Sequence, residues 1–424
     1  MDVKVGPAKQ IRGSVRTAGD KSVSHRYAML AGLAAGTSVF ENFSSSADCA
    51  SSLACMEAMG AVVRREGNHV EVDGVGGKLS APARELDCGN SGSTMRMLSG
   101  VLAAQAFTSV MTGDASLSRR PMRRVIEPLE QMGANIESNN GCAPLTIHGA
   151  KLKPITYQPP VASAQVKSCV LLAGLFSEGE TTVIESVKTR DHTELAVEAF
   201  GGQMLRSAGR VSIRGGQQLK ALSAYVPGDL SSVTFFLCAA ALFPGSSLVV
   251  DSVLLNPTRS VVLDVLSGMD VKINFLKVEQ QFGELVGTMQ AEGGTFQGGV
   301  IAGAQSAALI DELPAIAAIA PYSVKGVEIR NATELRVKES DRIRAVVRNL
   351  RAMGAEVEEF PDGMKIPGGQ KLHGAVIESF DDHRIAMAFA VAALRAEGET
   401  TIRNAESVAV SFPEFFDALS EVRK

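Results

Sequence analysis

The sequence predicts an α/β protein built from six copies of one repeat. A short β-branched segment, usually led by Gly, returns along the chain with spacings of 71, 72, 66, 81 and 72 residues. Each copy follows an apolar helix and precedes a more amphipathic one. A nearly constant period of about 70 residues across a whole chain indicates a repeated structural unit. The six segments start at Gly36, Phe107, Gly179, Gly245, Gly326 and Gly398.

The first helix of each repeat is apolar on most faces, as expected for a helix buried inside a layer. Each is opened by a short polar or Gly-containing segment. The predicted first helices are Lys21–Ala35, Ser91–Gln105, Ser163–Phe176, Leu230–Phe243, Glu312–Ala320 and His383–Arg395.

The second helices are more amphipathic, and several stop at a Gly, which relieves a left-handed residue at a helix end. Pro121 and Pro413 suit first-turn positions of two of them. The predicted second helices are Cys49–Met59, Pro121–Met132, Thr193–Phe200, Ser260–Leu266, Ser340–Met353 and Pro413–Val422.

Alternating apolar and polar residues, as in 69–73 and 210–214, predict strands after the second helices. The sixth repeat ends after its second helix, and the strand-like residues 2–17 are predicted to supply its missing strands. The chain would then begin and end in the same lobe. Residues 20–227 are predicted to form an N-terminal lobe of three repeats, and residues 1–19 with 228–424 a C-terminal lobe of three.

Composition and charge exclude several classes of function. A net charge of −4 gives no general attraction to nucleic acid or an anionic membrane. The longest apolar run, Phe235–Phe243, is too short to span a bilayer, and the N-terminus lacks a signal-peptide core, so we expect a cytoplasmic protein. The six cysteines form no Cys-x-x-Cys pair and have no ligand spacing with the histidines, which predicts free thiols and no metal.

Polar segments in the first half of the chain combine cations, hydroxyls and Gly at predicted helix starts, where anions bind well. They are Gly19-Asp-Lys-Ser-Val-Ser-His-Arg26, Asp87-Cys-Gly-Asn-Ser-Gly-Ser-Thr-Met-Arg96, Ser118-Arg-Arg-Pro-Met-Arg-Arg124, Ser163-Ala-Gln-Val-Lys167 and Thr189-Arg-Asp-His-Thr193. Taken singly, each is also compatible with a capped helix, a Gly-rich turn or a solvated charged face.

The second half adds carboxylates to the cations. Ile310-Asp-Glu-Leu-Pro314, Arg336-Val-Lys-Glu-Ser-Asp-Arg342 and Asp381-Asp-His-Arg384 each precede a predicted helix. The second of these also fits a salt-bridged helix start. Because such openings recur in the repeats, we expect one pocket with an excess of cations, a ligand with several negative charges, and proton transfer by Asp311 and Glu339.

These motifs together resemble the 5-enolpyruvylshikimate-3-phosphate synthases of the enolpyruvyl transferase family, over nearly the whole length of the chain. The resemblance implies a two-lobed inside-out α/β barrel, with three βαβαββ units in each lobe. It implies transfer of the enolpyruvyl group of phosphoenolpyruvate to the 5-hydroxyl of shikimate 3-phosphate, with release of phosphate. It also implies a monomer without metal or organic cofactor, inhibited by glyphosate.

The resemblance assigns roles to residues of this sequence. Lys21, Asp311 and Glu339 are implied to be catalytic: Asp311 accepts the hydroxyl proton, and Lys21 and Glu339 handle protons at the methylene carbon. The residues implied to hold shikimate 3-phosphate are Ser22, Arg26, Ser163, Ala164, Gln165, Arg190, Asp311 and Lys338. Those implied to hold phosphoenolpyruvate are Lys21, Gly92, Arg120, Arg342 and Arg384.

Three details distinguish this chain from other members of the family. Gly92 stands where glyphosate-tolerant members of the same branch have Ala, so we expect greater sensitivity here. Val410 stands where many members have a Lys that contacts phosphoenolpyruvate, and Lys338 is expected to compensate. The segment 114–118 lacks the reactive Cys of the UDP-N-acetylglucosamine enolpyruvyl transferases. That enzyme and a non-catalytic anion-binding protein are the alternative interpretations.

Overall fold

A computed structural model describes all residues, 1–424, and shows an α/β chain. Its α-helices are α1 Lys21–Leu33, α2 Ala47–Ala58, α3 Gly92–Ala103, α4 Arg123–Gln131, α5 Ala164–Gly174, α6 His192–Ala199, α7 Leu230–Ala241, α8 Val261–Gly268, α9 Ala304–Ala308, α10 Leu313–Ile319, α11 Arg342–Ala352, α12 His383–Ala393 and α13 Phe415–Val422. Both helices predicted for each repeat are therefore present, with ends shifted by a few residues.

The strands are short, and most lie after a helix of a repeat. They are β1 Val3–Val5, β2 Arg12–Val15, β3 Ala35–Glu41, β4 Val62–Glu66, β5 His69–Val75, β6 Leu86–Asp87, β7 Thr108–Thr112, β8 Asn135–Asn139, β9 Cys142–His148, β10 Thr156–Tyr157, β11 Glu180–Ile184, β12 Met204–Ser207, β13 Arg210–Arg214, β14 Ser223–Tyr225, β15 Ser247–Leu254, β16 Lys272–Gln281, β17 Glu284–Glu292, β18 Gly299–Ile301, β19 Val327–Ile329, β20 Glu358–Phe360, β21 Gly363–Ile366, β22 Val376–Glu378 and β23 Thr400–Arg403.

Five of the six sheets have four strands in one common order. A leading strand runs parallel to the strand that follows the first helix, and two further strands complete the sheet. The orders are β6-β7-β9-β8, β10-β11-β13-β12, β14-β3-β5-β4, β2-β15-β17-β16 and β18-β19-β21-β20. The sixth sheet, β22-β23-β1, has three strands. The common order confirms that the sequence period reflects one repeated unit.

The N-terminal strands serve two different repeats, which corrects one prediction. Strand β1 pairs with β23 of the sixth repeat, with Val3 opposite Ile402. Strand β2 instead pairs parallel to β15 of the fourth repeat. Strand β14, which precedes α7, pairs with β3 in the sheet of the first repeat, whereas β2, which precedes α1, lies in the sheet of the fourth. These two strands have therefore exchanged sheets.

The chain divides into two compact lobes. The C-terminal lobe comprises Met1–Ala18, Pro227–Gln281 and Leu285–Lys424, and the N-terminal lobe comprises Gly19–Val226 with Phe282–Glu284. The sequence-based boundaries fall beside these divisions.

The first helices form the cores. In the N-terminal lobe, α3 packs on α5, and α1 packs on α2 and α6. In the C-terminal lobe, α12 packs on α10 and α7, and every residue of these three helices is buried. No helix is long and apolar enough to cross a membrane.

The helix ends show where the sequence signals were right and wrong. Gly60 and Gly354 follow α2 and α11 with φ of 106° and 89°, the left-handed backbone that favours Gly. Pro121 and Pro413, however, lie before the helices rather than in their first turns, because α4 begins at Arg123 and α13 at Phe415.

Candidate active site

The start of α1 places Lys21 next to a carboxylate. Asp20 caps the helix, and its side chain accepts a hydrogen bond from the Val23 amide at 2.8 Å. Lys21 Nζ donates to Asp48 Oδ2 at 3.0 Å, and both side chains are largely buried. Asp48 lies in the first turn of α2. Asp48 was not predicted from the sequence, although an acidic residue at the start of the second helix of the same repeat was a usable signal.

Arg26 is buried within the N-terminal lobe and hydrogen-bonds to neutral oxygens. Its Nε donates to Thr193 Oγ1 at 2.6 Å, its Nη2 to Ser168 Oγ at 2.8 Å, and its Nη1 to the Ser22 carbonyl at 2.8 Å. Burial lowers the pKa of Arg26 to about 10, although the negative charge of Glu194 acts in the opposite direction. The guanidinium is thus fixed by partners that leave its charge uncancelled.

The charge of Arg190 also bears on Arg26. Arg190 lies in the segment between β11 and α6, and its positive charge contributes to the lowered pKa of Arg26. Two of the arginines predicted to hold one substrate are therefore close enough to repel each other. Such a pair favours binding of an anion, which would relieve the repulsion.

The start of α3 brings a Gly between two guanidinium groups. A Cβ atom on Gly92 would lie 3.1 Å from Arg96 Nη1 and 3.5 Å from Arg120 Nη1. Arg120 Nη2 donates to Asn90 Oδ1 at 2.7 Å, and Arg96 Nη1 donates to Gln165 Oε1 at 2.7 Å. Arg96 belonged to the recognised motif but was not among the predicted site residues. The structure assigns it to the same surroundings as Gly92.

Helix α5 contributes its N-terminal residues to this region. The Ser163 side chain caps the helix and accepts from the Val166 amide at 3.4 Å. Ala164 is the first helical residue, and Gln165 Nε2 donates to Ser93 Oγ at 2.9 Å. Gln165 therefore connects the starts of α3 and α5 through both ends of its amide.

In the C-terminal lobe, Asp311 lies among three cationic side chains. Its Oδ1 is 3.4 Å from Lys338 Nζ, 3.4 Å from Arg342 Nη1 and 4.0 Å from Arg384 Nε. Arg384 Nη1 also donates to the Asp311 carbonyl at 2.6 Å. These cations hold the Asp311 carboxylate in place. Because its side chain is still partly exposed, part of it stays accessible.

Arg342 joins Asp311 to two further carboxylates. Its Nε donates to Asp382 Oδ2 at 2.8 Å, and its Nη2 to Glu339 Oε2 at 2.5 Å. Burial alone would lower the pKa of Arg342, but Asp382, Glu339 and Asp311 outweigh it and raise that pKa above the usual value. Asp382 is fully buried and caps α12. It was part of a recognised motif, but its role as a partner of Arg342 was not predicted.

The first helix of the fourth repeat, α7, also starts with a polar segment, but polar groups of this segment contact residues of the same repeat. Asp229 caps α7 by accepting from the Ser231 amide at 2.7 Å. The buried Arg259 donates to Ser231 Oγ at 2.6 Å, and its Nη2 lies 3.5 Å from Asp229 Oδ1. Val410, in contrast, ends a 3-10 helix over Ala405–Val410 and brings no charge.

No group of three or more His, Cys, Asp or Glu side chains is arranged to hold a metal ion, and all six cysteines are free thiols.

The chain is similar to proteins of one family along its entire length. The family model described as EPSP synthase (3-phosphoshikimate 1-carboxyvinyltransferase) matches residues 5–419. The 3-phosphoshikimate 1-carboxyvinyltransferase of Koribacter versatilis is 61% identical over 421 residues, or 99% of each chain. That of Solibacter usitatus is 53% identical over 424 residues, the full length of both. The solved EPSP synthase of Acinetobacter baumannii has a TM-score of 0.89 at 40% identity and covers 100% of this chain and 98% of its own.

Proposed function

The chain belongs to the EPSP synthase family, and from that premise we propose that it transfers the enolpyruvyl group of phosphoenolpyruvate to the 5-hydroxyl of shikimate 3-phosphate, releasing phosphate. This makes it a transferase of the shikimate pathway, which serves aromatic amino acid biosynthesis. Family membership also confirms the predicted fold class, the two-domain inside-out α/β fold.

The observation that carries the chemistry is the placement of carboxylates among cations in the C-terminal lobe. Asp311 lies within 4.0 Å of three cationic side chains, and Glu339 contacts Arg342, one of the three. A protein that only binds anions gains nothing from carboxylates in such a place, since they repel the ligand. An enzyme that must accept a proton next to a phosphorylated substrate needs both.

We propose an addition followed by an elimination. In the addition, Asp311 accepts the proton of the 5-hydroxyl of shikimate 3-phosphate. The oxygen of that hydroxyl bonds to C2 of phosphoenolpyruvate, and the methylene carbon C3 gains a proton. In the elimination, C3 gives up a proton as the C2–O bond to phosphate breaks. Lys21 and Glu339 divide the two proton transfers at C3. The surrounding arginines stabilise the negative charge that persists through both steps.

The binding roles follow the two lobes. In the N-terminal lobe, buried Arg26 and its neighbour Arg190 suit the phosphate of shikimate 3-phosphate, and the Gly92 region suits phosphoenolpyruvate because two guanidinium groups flank it. Arg342 and Arg384 of the C-terminal lobe are the further phosphoenolpyruvate ligands. The complete proposed shikimate 3-phosphate set is Ser22, Arg26, Ser163, Ala164, Gln165, Arg190, Asp311 and Lys338, and the phosphoenolpyruvate set is Lys21, Gly92, Arg120, Arg342 and Arg384.

A phosphate-release assay tests this function. The protein should release phosphate when both shikimate 3-phosphate and phosphoenolpyruvate are present, and not when UDP-N-acetylglucosamine replaces the former. Glu339→Gln should slow release by about 10²-fold or more. Glu334→Gln, at an exposed glutamate nearby, is the matched control. Release with the UDP-sugar, or equal release from Glu339→Gln and wild type, would contradict the proposal.

The family relationship also supports three narrower proposals: inhibition by glyphosate, a monomeric state and a cytoplasmic location. Light scattering after size exclusion would test the second, with 44.6 kDa expected for one chain. A mass of two chains would contradict it.

A further inference from the structure

Lys167 is a buried lysine that the proposed chemistry does not use. It lies in the first half of α5 with 1% of its side chain exposed. Its Nζ is 2.7 Å from Glu194 Oε1 and 3.0 Å from Glu185 Oε1. A buried ion cluster of this kind stabilises a fold no better than apolar side chains of similar volume, because removing the charges from water is costly. Its geometry therefore suggests a role other than stability.

One partner of Lys167 holds the segment that carries Arg190. Glu185 Oε1 accepts a hydrogen bond from Thr189 Oγ1 at 2.6 Å and another from the Thr189 amide at 2.9 Å. The same oxygen faces Lys167. Arg190 directly follows Thr189, so its backbone is placed by a turn that is closed on Glu185.

The other partner of Lys167 lies beside the ligands of Arg26. Glu194 follows Thr193, which accepts from Arg26 Nε. Ser168, which follows Lys167, accepts from Arg26 Nη2, and the Ser168 and Thr193 hydroxyls are 2.6 Å apart. Lys167 and Glu194 thus join α5 to α6 directly behind the two hydroxyls that fix Arg26.

The charges of this cluster balance only as a set. Burial raises the pKa of Glu194 while Lys167 opposes that rise, and the charge of Glu194 in turn opposes the lowered pKa of Arg26. Lys167 Nζ, 2.7 Å from Glu194 Oε1, is the cation that compensates this carboxylate. Removing Lys167 would leave the buried Glu194 and the largely buried side chain of Glu185 without this cation.

We propose that Lys167 and Glu185 are positioning residues for shikimate 3-phosphate: through Thr189 they set the turn that carries Arg190, and through Glu194 they set the helix contact that fixes Arg26. This inference rests on the proposed function. Neither residue touches the substrate in this scheme, and phosphoenolpyruvate is bound by other side chains. Lys167 and Glu185 therefore affect the affinity for shikimate 3-phosphate and leave the affinity for phosphoenolpyruvate unchanged.

The test measures both KM values, kcat and direct binding of shikimate 3-phosphate by calorimetry for Thr189→Val, Glu185→Gln and Lys167→Met. We expect KM and Kd for shikimate 3-phosphate to rise about tenfold or more, with KM for phosphoenolpyruvate and kcat within about twofold of wild type. Thr189→Ser keeps the hydroxyl and should lie closer to wild type than Thr189→Val. Glu180→Gln and Lys151→Met, at exposed ion-paired positions, are the matched controls.

The outcomes separate the possible explanations. If Thr189→Val and Glu185→Gln change both KM values equally, or lower only the melting temperature, the cluster is structural and the inference is wrong. If Lys167→Met does not fold, those two milder variants decide. Absence of turnover by the wild-type protein would instead contradict the proposed function, while calorimetry with shikimate 3-phosphate would still test the positioning role.

Discussion

Two buried arginines, Arg26 and Arg342, one from each lobe, have different kinds of partners. Arg26 of the N-terminal lobe donates to two hydroxyls and a carbonyl, whereas Arg342 of the C-terminal lobe contacts Asp382, Glu339 and Asp311. Accordingly, burial lowers the pKa of the first, and carboxylates overcome burial to raise that of the second. Neutral partners orient a guanidinium without cancelling its charge, so it remains able to bind an anion.

Carboxylate partners have the opposite consequence. They stabilise the charged form of Arg342, and they are themselves held in place by it. Under the proposed function, the surroundings of Arg26 suit the binding of an anion, and those of Arg342 suit carboxylates that move protons beside an anion. The four predictions below test this contrast in order of decreasing effect.

The largest expected effect is on stability. Arg342→Met should cost about 3–5 kcal/mol because it leaves carboxylates buried without their cation. Arg26→Met should cost about 1–3 kcal/mol, since the groups it leaves are hydroxyls and a carbonyl. Urea unfolding of both variants at neutral pH measures the difference. Equal costs would remove the distinction between the lobes.

The next effect is on turnover. Asp311→Asn should lower kcat by about 10²–10⁴-fold, because an amide cannot accept the hydroxyl proton. Its hydrogen-bonding shape is retained, so the KM for phosphoenolpyruvate should change much less. Asp264→Asn, at an exposed position of α8, is the control. A kcat within tenfold of the control would assign the proton transfer to another group.

The buried His25 of the N-terminal lobe, which lies near Lys21 and Arg26, should also make stability depend on pH. Burial, and then Lys21 and Arg26, lower the pKa of His25 well below 6.5. The folded protein keeps this ring neutral, whereas the unfolded chain takes up a proton below about pH 6.5. Because the unfolded state then binds more protons, stability falls as the pH falls.

His25→Gln should remove this loss. Between pH 7.5 and 5.5 the variant should lose about 1.4 kcal/mol less stability than wild type, measured by urea unfolding at both values. The comparison of slopes separates this effect from the lost hydrogen bond between His25 and Ser52. Identical slopes would mean that burial and the neighbouring cations do not lower the pKa of His25 in the folded protein.

The smallest effect concerns the two guanidinium groups beside Gly92. A methyl group there would press on Arg96 Nη1 at 3.1 Å, the mobile end of a side chain that can shift. Gly92→Ala should raise the KM for phosphoenolpyruvate about fivefold, or about 1 kcal/mol. The glyphosate concentration that halves activity should rise by a larger factor, because the longer inhibitor has less room to adjust. Unchanged inhibition would contradict the proposed sensitivity of this enzyme.

Local sequence signals were sufficient for the repeats and for the start of most helices. The helices that begin at Lys21, Leu230 and His383 were predicted to start at these same residues. A capping Asp precedes each of them and an apolar run follows. The Gly after α2 and α11 was equally clear. The first-turn prediction for Pro121 and Pro413 was wrong, because Pro is tolerated at positions just before a helix as well as in its first turn.

Partners distant in sequence could not be predicted. Arg96 and Asp382 lie in recognised motifs and Asp48 lies outside them, and the contacts of Asp48, Arg96 and Asp382 with Lys21, Gln165 and Arg342 span 27, 69 and 40 residues. The same is true of β2, which has a strand-like sequence that is equally compatible with the sheet of either repeat. Hydropathy indicates that a strand has one buried face. Which strand it pairs with depends on the path of the chain between distant repeats.

The sequence by itself therefore determined the sixfold repeat, the family and the set of charged residues, because these depend on residue order and residue type. Only the tertiary structure decided which cations keep their charge and which are paired with carboxylates. Arg26 and Arg342 both lie near a helix start, and only the carboxylates of Glu339 and Asp341 beside Arg342 hint at a difference in the sequence. Long-range contacts complete that difference, because they bring the hydroxyls of Ser168 and Thr193 to Arg26 and the carboxylates of Asp311 and Asp382 to Arg342.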